Sequence, residues 1–171
     1  MIMAERETKR ELLGPVTLSV LDRLLDDEPK SRVEGLLTHS KSLAVLKLAV
    51  RRDLENLLNT RVTPEPLPEA SAETRRSVYN YGVPDITEIG QNFLYEKDRL
   101  LAEIERAVRL FEPRLDGARV ALLPAAGNER VLRFVIEGML KIDPAPEHVV
   151  FDAALELTSG EYQLMGDSSA G

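Results

Sequence analysis

The residues that could carry chemistry in this chain converge on one short run, Phe111-Glu112-Pro113-Arg114-Leu115. A carboxylate and a guanidinium flank a proline there. Proline fixes its own φ and has no backbone donor, and its ring drives the preceding residue out of the α region. Glu112 and Arg114 are therefore held at a fixed corner. They either offer their charges outward to a partner or pair with neighbours. Hydrolytic use would need a second carboxylate across a cleft, about 5 to 9.5 Å away depending on mechanism. Glu112 with Asp53 or Asp85 is the pairing the sequence offers. A cation two residues away favours the charged form of a carboxylate, the wrong state for a general acid.

Other chemistry finds little support. His39 and His148 stand alone, without ligand-spaced neighbours, and read as surface or loop residues. The chain has no Cys, which removes disulfides, thiolate metal sites and a Cys nucleophile. No Gly-rich phosphate loop follows a strand, and no Ser sits in a nucleophile elbow. The expectation is a non-enzyme with no metal and no cofactor.

Binding is better supported. Arg51, Arg52, Arg61, Arg75 and Arg76 surround a stretch in which Pro64, Pro66 and Pro68 alternate with other residues. Guanidinium suits bidentate capture of carboxylates, including those of a protein partner. The alternative is internal pairing with Asp53, Glu55 and Glu73, which is common at surfaces and worth little.

These side chains must be positioned by a small number of elements. Val16 to Leu25 carries a short helical stripe of Val16, Val20, Leu21, Leu24 and Leu25, with Thr17 or Ser19 as N-cap. The acidic knot Asp26-Asp27-Glu28-Pro29 ends it in a solvated loop. Ser42 to Asn59 repeats Leu43, Leu46, Val50, Leu54, Leu57 and Leu58 at threes and fours, one buried stripe of a long helix. The proline alternation after Arg61 suits an extended loop, and Ser71 to Tyr79 recovers a helical turn. Asn80-Tyr81-Gly82-Val83-Pro84-Asp85 is turn chemistry, with Gly82 free to take positive φ. Tyr95 to Phe111 is a second long helix, striped by Lys97, Leu101, Ile104, Val108 and Phe111. After Pro113 the period changes from 3.6 to 2. Strands are predicted over 118–123, 131–140 and 149–158, with a turn at Ser159-Gly160 and a return strand over 161–165. Helices first and strands last argue α+β: two long helices and a short N-terminal one on a mixed or antiparallel sheet of three to four strands. A small sheet leaves an edge whose unpaired donors and acceptors another chain could use, unless loops, Pro146 or charges blunt it.

Composition bounds the partners. The chain has 171 residues, enough for one domain with a real core, and its aromatic content of 5% makes that core aliphatic. A net charge of -7 opposes nucleic-acid binding. No apolar run approaches the roughly 18 residues of a membrane span, and the charged start lacks the apolar core of a secretory signal. A cytoplasmic location is the expectation. Residues 1–15 read as a flexible lead-in, 16–165 as a single domain, and 166–171 as a frayed tail.

The motifs also form a recognisable order: Ser19-Val20-Leu21-Asp22-Arg23-Leu24, then Arg51-Arg52-Asp53-Leu54-Glu55-Asn56-Leu57-Leu58-Asn59-Thr60-Arg61, then Asn80-Tyr81-Gly82-Val83-Pro84-Asp85, then the Glu-Pro-Arg run. This order resembles the TssE family, the baseplate wedge subunits of the bacterial type VI secretion system. That family is similar to the wedge proteins of contractile phage tails and is often labelled lysozyme-like. The resemblance covers about residues 16 to 165. It implies structural work with the baseplate subunits TssF, TssG and TssK, at the cytoplasmic side of the inner membrane and without membrane insertion. It implies that Glu112, Pro113 and Arg114 dock on the helical bundle of the other wedge subunits. It also implies that a sheet edge meets the sheath subunits TssB and TssC. Arg51, Arg52, Arg61 and Tyr81 complete the expected contact residues. A regulatory module like the anti-adaptor IraD, of related fold, and a muramidase-like hydrolase are the alternatives.

Overall fold

A computed structural model describes residues 15–24, 38–62, 72–85, 93–124 and 130–167. Four α-helices are described: α1 (Val20–Leu24), α2 (His39–Asn59), α3 (Ala72–Arg75) and α4 (Phe93–Phe111), with one 3₁₀ turn at Val78–Asn80. Four strands follow, β1 (Leu115–Leu122), β2 (Val131–Leu140), β3 (Glu147–Glu156) and β4 (Tyr162–Asp167). They form an antiparallel meander in the order β1-β2-β3-β4. The fold is therefore α+β. No described helix is long and apolar enough to cross a membrane.

Helix α2 begins where Thr38 caps it, its hydroxyl accepting from the Lys41 N–H at 3.4 Å. All six residues of its expected stripe are buried, joined by Ala49. Each fully buried Leu or Val contributes about 1.5–3 kcal/mol. That outweighs polar contacts such as the ion pair of Lys47 with Glu147 at 3.0 Å. Helix α4 buries Leu100, Ile104, Ala107 and Val108. Ile104 and Val108 of the expected stripe are thus in the core, Leu101 and Phe111 pack against it partly buried, and Leu100 and Ala107 join them.

Both long helices contribute to the core that covers one face of the sheet. Period-two alternation delivers Leu132, Phe134, Ile136 and Leu140 from β2 to that face, with Val149, Phe151, Ala153 and Leu155 from β3. Tyr162 and Leu164 extend it from β4. Strand β1 starts at Leu115, three residues earlier than its apolar run, and a bulge between Asp116 and Arg119 absorbs Gly117 at φ 61°. Strand β4 runs on to Asp167, through the first residues of the expected tail.

Two local expectations change. His39 is buried at the first turn of α2 instead of lying on the surface. Helix α1 is inverted: Val20, Leu21 and Leu24 of the expected apolar stripe are exposed, and Asp22 is its one buried residue. Ion pairs and a capping hydroxyl hold Asp22, while Val16 and Leu18 just before the helix pack against the core. The acidic knot at 26–29, the prolines at 64, 66 and 68, and residues 1–14 and 168–171 lie outside the described residues.

Candidate functional site

The corner forms as its residue types require. Helix α4 ends at Phe111, the Glu112 N–H still donating to the Val108 carbonyl at 2.9 Å. Pro113 and Arg114 make the turn, and the Leu115 N–H closes it on the Glu112 carbonyl at 3.1 Å. Glu112 is 3% exposed. Its carboxylate accepts from the Arg114 backbone N–H at 3.1 Å and from Arg114 Nε at 2.7 Å, both at Oε1, while Oε2 takes Arg114 Nη2. The Glu112 carboxylate thus stays home to hold the guanidinium.

Arg114 in turn reaches across the fold. Its Nη2 donates to Asp53 Oδ2 at 2.6 Å, and its Nη1 lies 3.8 Å from Asp22 Oδ2. Arg52 joins through Nη2 to Asp22 Oδ1 at 2.8 Å, and through Nε and Nη2 to Asp53 Oδ1 at 3.0 and 2.9 Å. Ser19 completes the cluster, its hydroxyl donating to Asp22 Oδ2 at 2.5 Å and accepting from the Asp22 N–H at 3.1 Å. Three carboxylates and two guanidiniums thus join α1, α2 and the α4–β1 corner, segments 30 and 61 residues apart in the chain.

The electrostatics follow from this geometry. Burial opposes the charge of Asp22, but hydrogen bonds from Ser19 and Arg52 and the charges of Arg52 and Arg114 outweigh it and hold its carboxyl below the usual value. Hydrogen bonds to Glu112 and Asp53 hold the Arg114 proton more tightly than usual, against its burial. Arg52 is held likewise by Asp22 and Asp53. Glu112 and Asp53, the pair that hydrolysis would require, meet on one guanidinium. Among the described residues, no group of three His, Cys, Asp or Glu side chains could hold a metal ion.

The remaining expected residues fall around this centre. Gly82 takes φ 122°, which lets the chain run tightly past Thr60, with the Val83 N–H on the Thr60 carbonyl at 2.9 Å and a parallel bridge between Arg61 and Val83. That turn sets Tyr81 edge-on against Phe111, ring centroids 5.3 Å apart. Burial, then the charges of Asp53 and Glu112, raise the tyrosine's pKa. Leu57, Tyr81, Phe111 and Pro113 line a shallow groove of about 310 Å³ with Ser19, Asp53, Glu112 and Arg114. Arg61 lies elsewhere, donating to the Leu58 carbonyl at 2.9 Å and the Gly160 carbonyl at 2.5 Å, with its guanidinium 5.7 Å from the Tyr162 ring centroid. Arg51 is half-buried on α2, and Arg75 and Arg76 are exposed. Sequence reasoning missed Asp22 as a member of the centre. Its signal was the spacing Ser19-x-x-Asp22, a capping pattern.

The sheet edges differ. At β1, the Ala118 carbonyl accepts from Arg109 Nε at 3.1 Å and the Val120 N–H donates to Glu105 Oε2 at 3.0 Å. Glu105 and Arg109 are themselves paired at 2.5 Å, so α4 engages this edge at two backbone groups. At β4, the Asn59 amide receives the Tyr162 N–H and donates to the Tyr162 carbonyl, both at 2.9 Å. No bond of that kind is described at Leu164.

This is a structural α+β module whose charged centre holds its own elements together. The model of the family described as baseplate wedge protein gp25 matches residues 44–145, and the chain belongs to that family. The match agrees with the resemblance to the TssE wedge subunits. It spans the Glu-Pro-Arg corner and leaves α1 outside. No curated protein matches the chain.

Proposed function

We propose that the chain is a non-catalytic structural subunit of a type VI secretion baseplate, on the cytoplasmic side of the inner membrane. In this reading it docks on TssF and TssG, with TssK nearby, through the surface around Glu112, Pro113 and Arg114. The edge of β4 then receives a strand from the sheath subunits TssB and TssC, which begins sheath assembly. The observation that carries it is the asymmetry of the sheet. Among the described residues, Arg109 and Glu105 engage one edge at Ala118 and Val120, and Asn59 engages the other at Tyr162. Unpaired donors and acceptors of an edge strand are the groups that strand addition uses.

Gly166 suits the test. It is exposed in β4, and a Cβ there would meet nothing within 4 Å. Gly166→Pro should abolish sheath assembly in cells while TssF and TssG still co-purify with the chain. Normal sheath assembly in that variant would remove the strand-addition step.

A further inference from the structure

Two charges on α2 take no part in the clasp. Arg51 and Glu55 are half-buried and one helical turn apart. Among the described residues, neither side chain has an ion pair or a hydrogen bond. Taking a charge partly out of water costs free energy that a partner would offset.

Helix geometry places the two. Asp53 flanks the buried stripe of α2 on the side of the corner, where it binds Arg114. Arg51 lies roughly 160° around the helix from Asp53 and flanks the stripe on the other side. Lys47, Arg51 and Glu55 form one row there, at intervals of four. The first member of the row pairs with Glu147, at the start of β3, at 3.0 Å. The last residue of the helix, Asn59, holds both backbone groups of Tyr162, at the start of β4. Leu155 faces Tyr162 in the sheet and Phe151 faces Asp167, so Glu147 lies beyond the far end of β4. The row therefore runs antiparallel to β4, on the flank of α2 turned away from α4, which packs on β1.

The spacing fits an added strand. Tyr162 turns its N–H and carbonyl away from β3 to Asn59, and alternation turns those of Leu164 the same way. A residue paired with Leu164 shares its face of the sheet, which is the face α2 covers. Leu164 lies roughly 7 Å along β4 from Tyr162, and Glu55 lies roughly 6 Å back along α2 from Asn59. Arg51 follows after roughly 6 Å more, close to the roughly 7 Å between alternate residues of a strand.

Resting on strand addition at β4, we infer that Glu55 and Arg51 select the incoming sheath strand by charge. Its residue opposite Leu164 is a lysine or arginine that meets Glu55. The residue two positions on, toward the Asp167 end, is an aspartate or glutamate that meets Arg51. A strand entering in the other direction would present these charges in reverse, so the pair fixes direction as well as identity.

The test uses the full tagged chain co-expressed with TssB and TssC, read by quantitative co-purification at low and high salt. Arg51→Glu/Glu55→Arg keeps two opposite charges one turn apart on α2, so the melting temperature should not change. Its capture of sheath subunits should fall at least about tenfold, because both incoming charges then meet their like. Arg51→Lys should capture as the wild type does. Arg51→Met/Glu55→Gln should weaken capture and remove its salt dependence. Wild-type capture by Arg51→Glu/Glu55→Arg, while Gly166→Pro captures nothing, overturns the inference and leaves strand addition standing. Wild-type capture by Gly166→Pro overturns both. Loss of capture in Arg51→Lys, or a wild-type capture that salt does not weaken, overturns recognition by charge. A dimer of the chain that Arg51→Glu/Glu55→Arg dissolves overturns the choice of partner.

Discussion

Replacing Arg114 by Met separates a clasp from a free docking charge. The guanidinium supplies Glu112 with two of its three hydrogen bonds and Asp53 with its 2.6 Å contact. Removing one partner of a buried ion pair costs about 3–5 kcal/mol, because the other charge is left uncompensated. The low end applies here. The Arg114 side chain is 24% exposed, Asp53 keeps Arg52, and the Arg114 backbone N–H still serves Glu112. A loss of about 3 kcal/mol is a large part of the roughly 5–15 kcal/mol that stabilises a domain. For a chain of this length it lowers the melting temperature by roughly 6–12 °C. Urea unfolding followed by circular dichroism reads the loss directly. Changing Glu112 to Gln in the same molecule removes the stranded charge, so the double variant should recover about 1 kcal/mol or more against the sum of the single changes. A single variant within about 1 kcal/mol of wild type, or strictly additive losses, would refute the clasp.

Two further outcomes follow from the same geometry. Gly82→Ala combines positive φ with a Cβ pressed against the Thr60 carbonyl, whose carbon would lie at 2.8 Å, and should cost about 2–3 kcal/mol; an unchanged urea midpoint would sink the argument from close approach. The Tyr162 hydroxyl is buried and meets no hydrogen-bond partner among the described residues, so Tyr162→Phe should be neutral or stabilising. Burial pushes the same hydroxyl up to about 12 from an ordinary 10, against the lowering effect of Arg61. The folded state keeps a proton that the unfolded state releases, so this contribution is complete below pH 10 and is lost as pH rises toward 12. Tyr162→Phe should remove that part of the alkaline loss, and identical wild-type and variant profiles over this range would exclude Tyr162 as its source.

Local periodicity was readable, and non-local pairing was not. Leu43 through Leu58 repeat at helical spacing, and Leu132, Phe134 and Ile136 alternate. Their burial follows from one-dimensional pattern because each element has one core face. Pro113 announced the corner by its own sterics. The direction of its charges depended on Asp22 and Asp53, which lie 92 and 61 residues away from Arg114 in the chain. The same pairing overrode the apolar pattern of α1, since an aspartate bound to two guanidiniums stays buried while five residues offer little apolar area to oppose it. The burial of His39 and the engagement of β1 by Glu105 and Arg109 likewise rest on contacts between elements. The Asn80-Tyr81-Gly82 run was legible as a turn, but its purpose, setting Tyr81 against Phe111, was not.

The Glu105–Arg109 pair carries a consequence for order. In a row of modules joined by exchanged strands, an interior member gives at one side and takes at the other. Glu105 and Arg109 already hold β1 at Val120 and Ala118 from within the chain. Were strands exchanged as proposed, those two groups would not be offered to a neighbour, and the module would take a strand at β4 rather than at β1. Polarity would then follow from a single helix-borne ion pair, with no separate factor needed to mark which edge receives.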